Sequence, residues 1–146
     1  MNISIGCDHG ALDLKNLVVA HLEKQGHTVT DYGTYTKDSC DYPEFAAAAA
    51  RAVADGKADR GIVLCTTGIG VSITANMIPG IRCALLSDLM SARLTREHND
   101  TNVMALGAGV VGEMLALQIV DTWIGTEFSH NERHQRRIDK VMALEK

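Results

Sequence analysis

The 146-residue chain is 46% hydrophobic and 22% charged, enough for one well-filled core and too short for a second domain with a core of its own. Its net charge of -4 leaves no general footprint for nucleic acid, and no run approaches the roughly 18 to 20 apolar residues of a membrane span. The four cysteines (Cys7, Cys40, Cys65, Cys83) lack metal-ligand spacing, and Met1-Asn2-Ile3-Ser4-Ile5-Gly6 lacks the basic head of a signal peptide, so reduced thiols in a cytoplasmic protein are expected.

Residues 2–7 read as a strand that ends at Asp8-His9-Gly10. A helix is predicted over 11–25, with Leu14, Leu17, Val18, His21 and Leu22 on one face and Gly26 at its end. Residues 28–32 form a β-branched strand, and the polar segment 33–41 leads through Pro43 into an alanine-rich helix over 45–55, closed by Gly56. Residues 60–65 contain Gly61-Ile62-Val63-Leu64, the continuous apolar run of a strand buried on both faces. The glycine-bearing turn Thr66-Thr67-Gly68-Ile69-Gly70 follows, then a helix over about 71–77 and a break at Pro79-Gly80. A strand over 82–86 precedes a helix capped by Ser87 or Asp88 that runs to about His98. A short strand over 103–106, a turn at 107–109, a helix over 112–124 and a last helix over about 132–144 complete the chain.

This alternation predicts one α/β domain over 1–146, a three-layer sandwich with five parallel strands and helices on both faces. Ligands of such sheets bind beyond the carboxyl ends of the strands. Asp8-His9, the 65–70 segment, Ser87-Asp88 and the 107–109 turn all fall there.

Cys65 ends a buried strand just before a glycine turn and a helix start, where free backbone N–H groups favour an anion. A thiolate there can act as a base, and the N–H groups of the 66–70 turn can stabilise developing oxyanion charge. A buried structural cysteine before an ordinary turn is the plainer alternative. His98 and Asn99 close a helix; they read either as a helix end favoured by the dipole or as a general acid beside a polar contact. Asp8 can cap the next helix or bind substrate at the mouth of the sheet. Arg133 and Arg137, four apart at a helix start, either form a solvated patch or clasp a phosphate together. His21, His27 and His130 need no special role.

Taken together, Gly6-Cys7-Asp8-His9, Asp41-Tyr42-Pro43, Cys65-Thr66-Thr67-Gly68-Ile69-Gly70, Arg96-Glu97-His98-Asn99-Asp100-Thr101-Asn102-Val103 and Arg133-His134-Gln135-Arg136-Arg137 stand in an order that resembles the type B ribose-5-phosphate isomerases, a family that includes allose and galactose 6-phosphate isomerases. The resemblance covers nearly the whole chain. It implies a Rossmann-like fold and a metal-free, cofactor-free aldose–ketose isomerase that works through a cis-enediolate. By position, Cys65 would move the proton between C2 and C1, with Thr67 and the backbone of Thr66, Gly68, Ile69 and Gly70 holding the enediolate oxygens. His98 would help open the furanose ring, with Asp8 and Asn99 at the sugar. His9, Arg133 and Arg137 would bind the phosphate. Family sites form across a subunit interface, which implies a homodimer or a dimer-of-dimers tetramer with the last helix on a partner subunit.

Two positions depart from the family pattern. Thr66 replaces the usual glycine of Cys-Gly-Thr-Gly, and Gly109 stands where ribose-5-phosphate members usually carry an arginine. Loss of that arginine would remove a phosphate contact and open space, which points to a tetrose or hexose phosphate as an alternative to ribose 5-phosphate. A nucleotide-binding module is the competing class, but the chain has neither a G-x-G-x-x-G after its first strand nor a P-loop lysine. A silent sugar-phosphate sensor is the third reading.

Overall fold

The computed structural model describes residues 1–145. Five parallel strands, β1 (Asn2–Cys7), β2 (Thr28–Asp31), β3 (Arg60–Cys65), β4 (Cys83–Leu85) and β5 (Val103–Gly107), form one sheet in the order β2-β1-β3-β5-β4. A single 3-10 turn (His9–Ala11) leads into α1 (Leu12–Lys24), and α2 (Tyr42–Ala54), α3 (Ile69–Asn76), α4 (Leu89–Asn99), α5 (Glu113–Gly125) and α6 (Glu132–Met142) follow in turn.

Strand alternation sorts the core into two halves. Ile62, Leu64, Met104 and Leu106 face α1 and α5, where they pack with Leu14, Val18, Leu22, Ile119 and Trp123. Val63, Cys65, Val103 and Ala105 face the other way, against Ala46, Ala49 and Ala50 of α2 and Val71 and Ala75 of α3. Every residue of β3 is buried, as its unbroken apolar run requires. The alanines let α2 lie close to the sheet: a Cβ on Gly6 would come within 2.6 Å of the Phe45 carbonyl oxygen, so only glycine fits there.

Two helices start earlier than their apolar periodicity predicts. α2 begins at Tyr42, three residues ahead, because Pro43 suits a first turn whose N–H groups have no helical partner anyway. α3 begins at Ile69 because Gly68, at φ 77°, makes the whole turn in one residue.

Lys15 and Arg60, two of the three buried Lys and Arg side chains among the described residues, brace the fold. Lys15 is fully buried and reaches Asp31 Oδ2 at 2.7 Å and the Thr34 carbonyl at 2.5 Å, which fixes the chain just after β2. Arg60 donates to the carbonyls of Trp123 and Ile124, both at 2.8 Å, and so satisfies the end of α5. No described helix is long and apolar enough to cross a membrane.

Candidate active site

Cys65 is the last residue of β3 and is only 5% exposed. Its Sγ accepts a hydrogen bond from the Gly68 N–H at 3.1 Å. That contact exists because Gly68 turns sharply back: a Cβ there would lie 2.5 Å from Leu85 and 2.8 Å from the Leu106 carbonyl carbon. Thr67 Oγ1 accepts from the Ile69 N–H at 3.2 Å and lies 4.0 Å from the sulfur, so its O–H can donate either to Sγ or into the cavity. Two of the N–H groups expected to face an oxyanion are therefore engaged within the loop, one on the sulfur and one on Thr67.

Above the sulfur lies a cavity of about 410 Å³ lined by Asp8, Tyr42, Cys65, Thr66, Thr67, Ile69, Gly70 and Ile73. Asp8 follows β1 and is nearly buried; its Oδ1 accepts from the Gly10 N–H at 3.0 Å, so the carboxylate caps the 3-10 turn and also faces the cavity. Tyr42 was not predicted as a site residue. Its ring packs over Gly70, where a Cβ would come within 2.6 Å of it, and the Asp41-Tyr42-Pro43 motif was the one signal that pointed there.

His9 lines the neighbouring cavity of about 330 Å³, together with Gly10, Lys37 and Ala108. Its Nδ1 accepts from the Cys40 N–H at 3.2 Å, which puts the ring proton on Nε2. The space expected beside Gly109 is not open. A Cβ on Gly109 would come within 3.1 Å of Thr66 Cγ2, so the threonine methyl already occupies it.

The remaining predicted residues form a second cluster elsewhere in the chain. Cys65 is level with Gly107 at the carboxyl end of β5, whereas His98 and Asn99 end α4 and precede Val103 at the other end. Five extended residues span roughly 15 Å, so Cys65 and His98 of one chain cannot act on the same carbon. The His98 ring lies against the ring of His134, with centroids 4.4 Å apart and planes tilted by 41°. His134 is buried, its Nδ1 lies 2.7 Å from Ser129 Oγ, and sequence reasoning gave it no role. Burial, and next the neighbouring His98 with Arg133 and Arg137, hold His134 below the ordinary histidine value. Arg133 and Arg137 flank it, exposed, and pair with no carboxylate among the described residues. Arg137 and Asn99 share a cavity of about 320 Å³ with Arg82 and Ile138. α6 rests on α4 of the same chain through His134 and Ile138.

Between the two clusters runs an uncovered apolar stripe. Ile69 and Ile73 of α3 and Met77 at its C-cap recur every four residues, all exposed, and the first two also rim the Cys65 cavity. Among the described residues no three His, Cys, Asp or Glu side chains converge as a metal ion would need.

Comparison with known proteins places these features in context. The family described as Ribose/Galactose Isomerase matches residues 3–141. A ribose-5-phosphate isomerase B of Escherichia coli is 48% identical over 98% of this chain and 95% of its own length. A D-erythrulose-4-phosphate isomerase of Pectobacterium atrosepticum is 42% identical over 92% of this chain and 99% of its own. The solved ribose-5-phosphate isomerase B of Clostridium thermocellum superposes with a TM-score of 0.97 at 50% identity, covering 99% of this chain and 97% of that one.

Proposed function

The chain belongs to the ribose/galactose isomerase family, and we propose that it interconverts a phosphorylated aldose and its ketose, with ribose 5-phosphate and ribulose 5-phosphate as the first pair to test. The observation that carries this reading is the Cys65 sulfur held by the Gly68 N–H at the floor of a cavity that also presents Asp8 and Thr67.

The chemistry follows from that geometry. The Cys65 thiolate takes the proton from C2, and the C2 electron pair forms the C1–C2 double bond while the former carbonyl oxygen becomes the enediolate oxygen. Thr67 turns its O–H to donate to that oxygen. Return of the proton to C1, with transfer of the O2 proton to O1, gives the ketose. Electrons stay within the substrate throughout, so the reaction is written without a redox cofactor or a metal. The Gly68 N–H steadies the negative sulfur, and the phosphate supplies binding energy that orients the two carbons.

His98, Asn99, Arg133 and Arg137 lie about a strand's length away in their own chain, so they serve the Cys65 cavity of a second copy. The exposed stripe on α3 is the surface for that copy, and the free face of α6 is the surface that reaches it. A two-fold dimer then holds two equivalent sites, each with the base, Asp8 and Thr67 from one subunit and the ring-opening histidine and phosphate arginines from the other. His9, with its proton on Nε2, completes the phosphate site. Four free thiols fit a reducing compartment, the cytoplasm.

Ribose 5-phosphate turnover tests the reading. Cys65→Ala is expected to lower kcat by about 10³-fold, within the range for loss of a general base, with KM little changed. Variant turnover within tenfold of the wild type would overturn the assignment of the base.

A further inference from the structure

Thr66 lines the Cys65 cavity and lies against Gly10, which lines the cavity beside His9. A Cβ on Gly10 would lie 2.4 Å from Thr66 Oγ1, and a Cβ on Gly109 would lie 3.1 Å from Thr66 Cγ2. The side chain is exposed and lies over both glycines, with its hydroxyl over the first helical turn and its methyl over the turn after β5. The backbone beneath it is tied down. Gly109 donates to the Thr66 carbonyl at 2.8 Å, and Ala108 donates to the Cys65 carbonyl at 2.9 Å. Thr66 lines the cavity over the sulfur, whereas Gly10 and Ala108 line the cavity beside His9.

We propose that Thr66 is a specificity-determining residue whose side chain stands between the two cavities and biases the site toward shorter phosphorylated sugars, four carbons over five and five over six. The proposal rests on the isomerase reading above and names the substrate property that this position controls. A β-branched side chain has few rotamers, and the exposed Thr66 side chain stands over two glycines that leave room for it. It takes volume between the cavity over Cys65 and the cavity beside His9. The two departures from the family pattern are one feature: the small residue at 109 makes room for the larger one at 66.

The test measures kcat/KM for a tetrose 4-phosphate, ribose 5-phosphate and a hexose 6-phosphate with the wild type, Thr66→Gly and Thr66→Ser. Thr66→Gly joins the cavities and is expected to move the five-to-four carbon ratio about tenfold toward the longer sugar, the scale of small steric discrimination. Thr66→Ser keeps the oxygen and loses only the methyl, so it moves the ratio in the same direction by less. It also decides the question if the glycine variant folds poorly. Ratios within twofold of the wild type in both variants, with turnover still abolished by Cys65→Ala, overturn the role of Thr66 and leave the isomerase reading standing. Wild-type protein that turns over none of the three sugars overturns both.

Discussion

The two ends of the sheet are built by different means. At the carboxyl end the backbone does the positioning: a buried strand delivers Cys65, and Gly68 folds back to place an N–H on the sulfur. At the amino end side chains do it. His98 sits against His134, the Ser129–His134 contact fixes that ring, and the Ser129 N–H ties the preceding loop to the Glu97 carbonyl at 3.2 Å. Proton transfer at carbon needs a base fixed to within a fraction of an ångström, and a strand end supplies that. Clasping a phosphate, the role proposed for Arg133 and Arg137, needs reach, and exposed arginines on the last helix have it.

The contrast is broken most severely at Gly68. Gly68→Ala places a methyl where φ is 77° and where Leu85 and the Leu106 backbone already lie within 3 Å. The loop must move, and the N–H leaves the sulfur. Activity should fall about 10²-fold or more, with stability lowered by about 1–3 kcal/mol, read by turnover and urea unfolding. A fully active variant would show that the sulfur contact is incidental.

A double-mutant cycle on Thr66 and Gly109 gives a smaller effect. Gly109→Arg alone presses its Cβ on the threonine methyl and should lower thermal stability. Combination with Thr66→Gly should recover most of that loss, a coupling of about 1 kcal/mol. Additive effects would mean that the two positions are independent.

The amino-end cluster gives a pH signature. His134 titrates below its ordinary 6.5 because burial and nearby cations disfavour its charged form. The stability it confers is complete above that ordinary value and is lost as pH falls through its own lower one. Between pH 7.5 and 5.5 the Tm of the wild type should therefore fall more than that of His134→Gln. Parallel curves would remove His134 as the titrating group.

The smallest effect separates two cysteines at equivalent places. Cys7 also ends a strand, yet burial pushes its thiol up to about 12. An alkylating reagent at pH 8 should modify Cys65 well before Cys7, as read by peptide mass spectrometry. Equal labelling would contradict the difference between the two sites.

How much of this was legible in the sequence follows the same division. The bounds of β1 and β3 match the sequence reading because continuous apolar runs stop at polar turn residues. Cys65, Thr67 and Asp8 were readable as site candidates since strand ends in a parallel sheet converge. Tyr42 was visible only through its motif, because its ring reaches the cavity across Gly70 in three dimensions. His134 carried no local signal at all; its meaning comes from the packing of α6 on α4. The expectation of open space at Gly109 failed for a similar reason, since residues 66 and 109 meet only when the turns after β3 and β5 lie side by side.

In the proposed dimer each working site joins the carboxyl end of one chain to the amino end of another. Co-expression of Cys65→Ala with His98→Asn, each inactive alone, tests it most directly. Random pairing makes half the dimers mixed, and each mixed dimer contains one intact site, so ribose 5-phosphate turnover should recover to about a quarter of the wild type. Mixed dimers, isolated by two different tags, that remain as inactive as either parent would contradict the account.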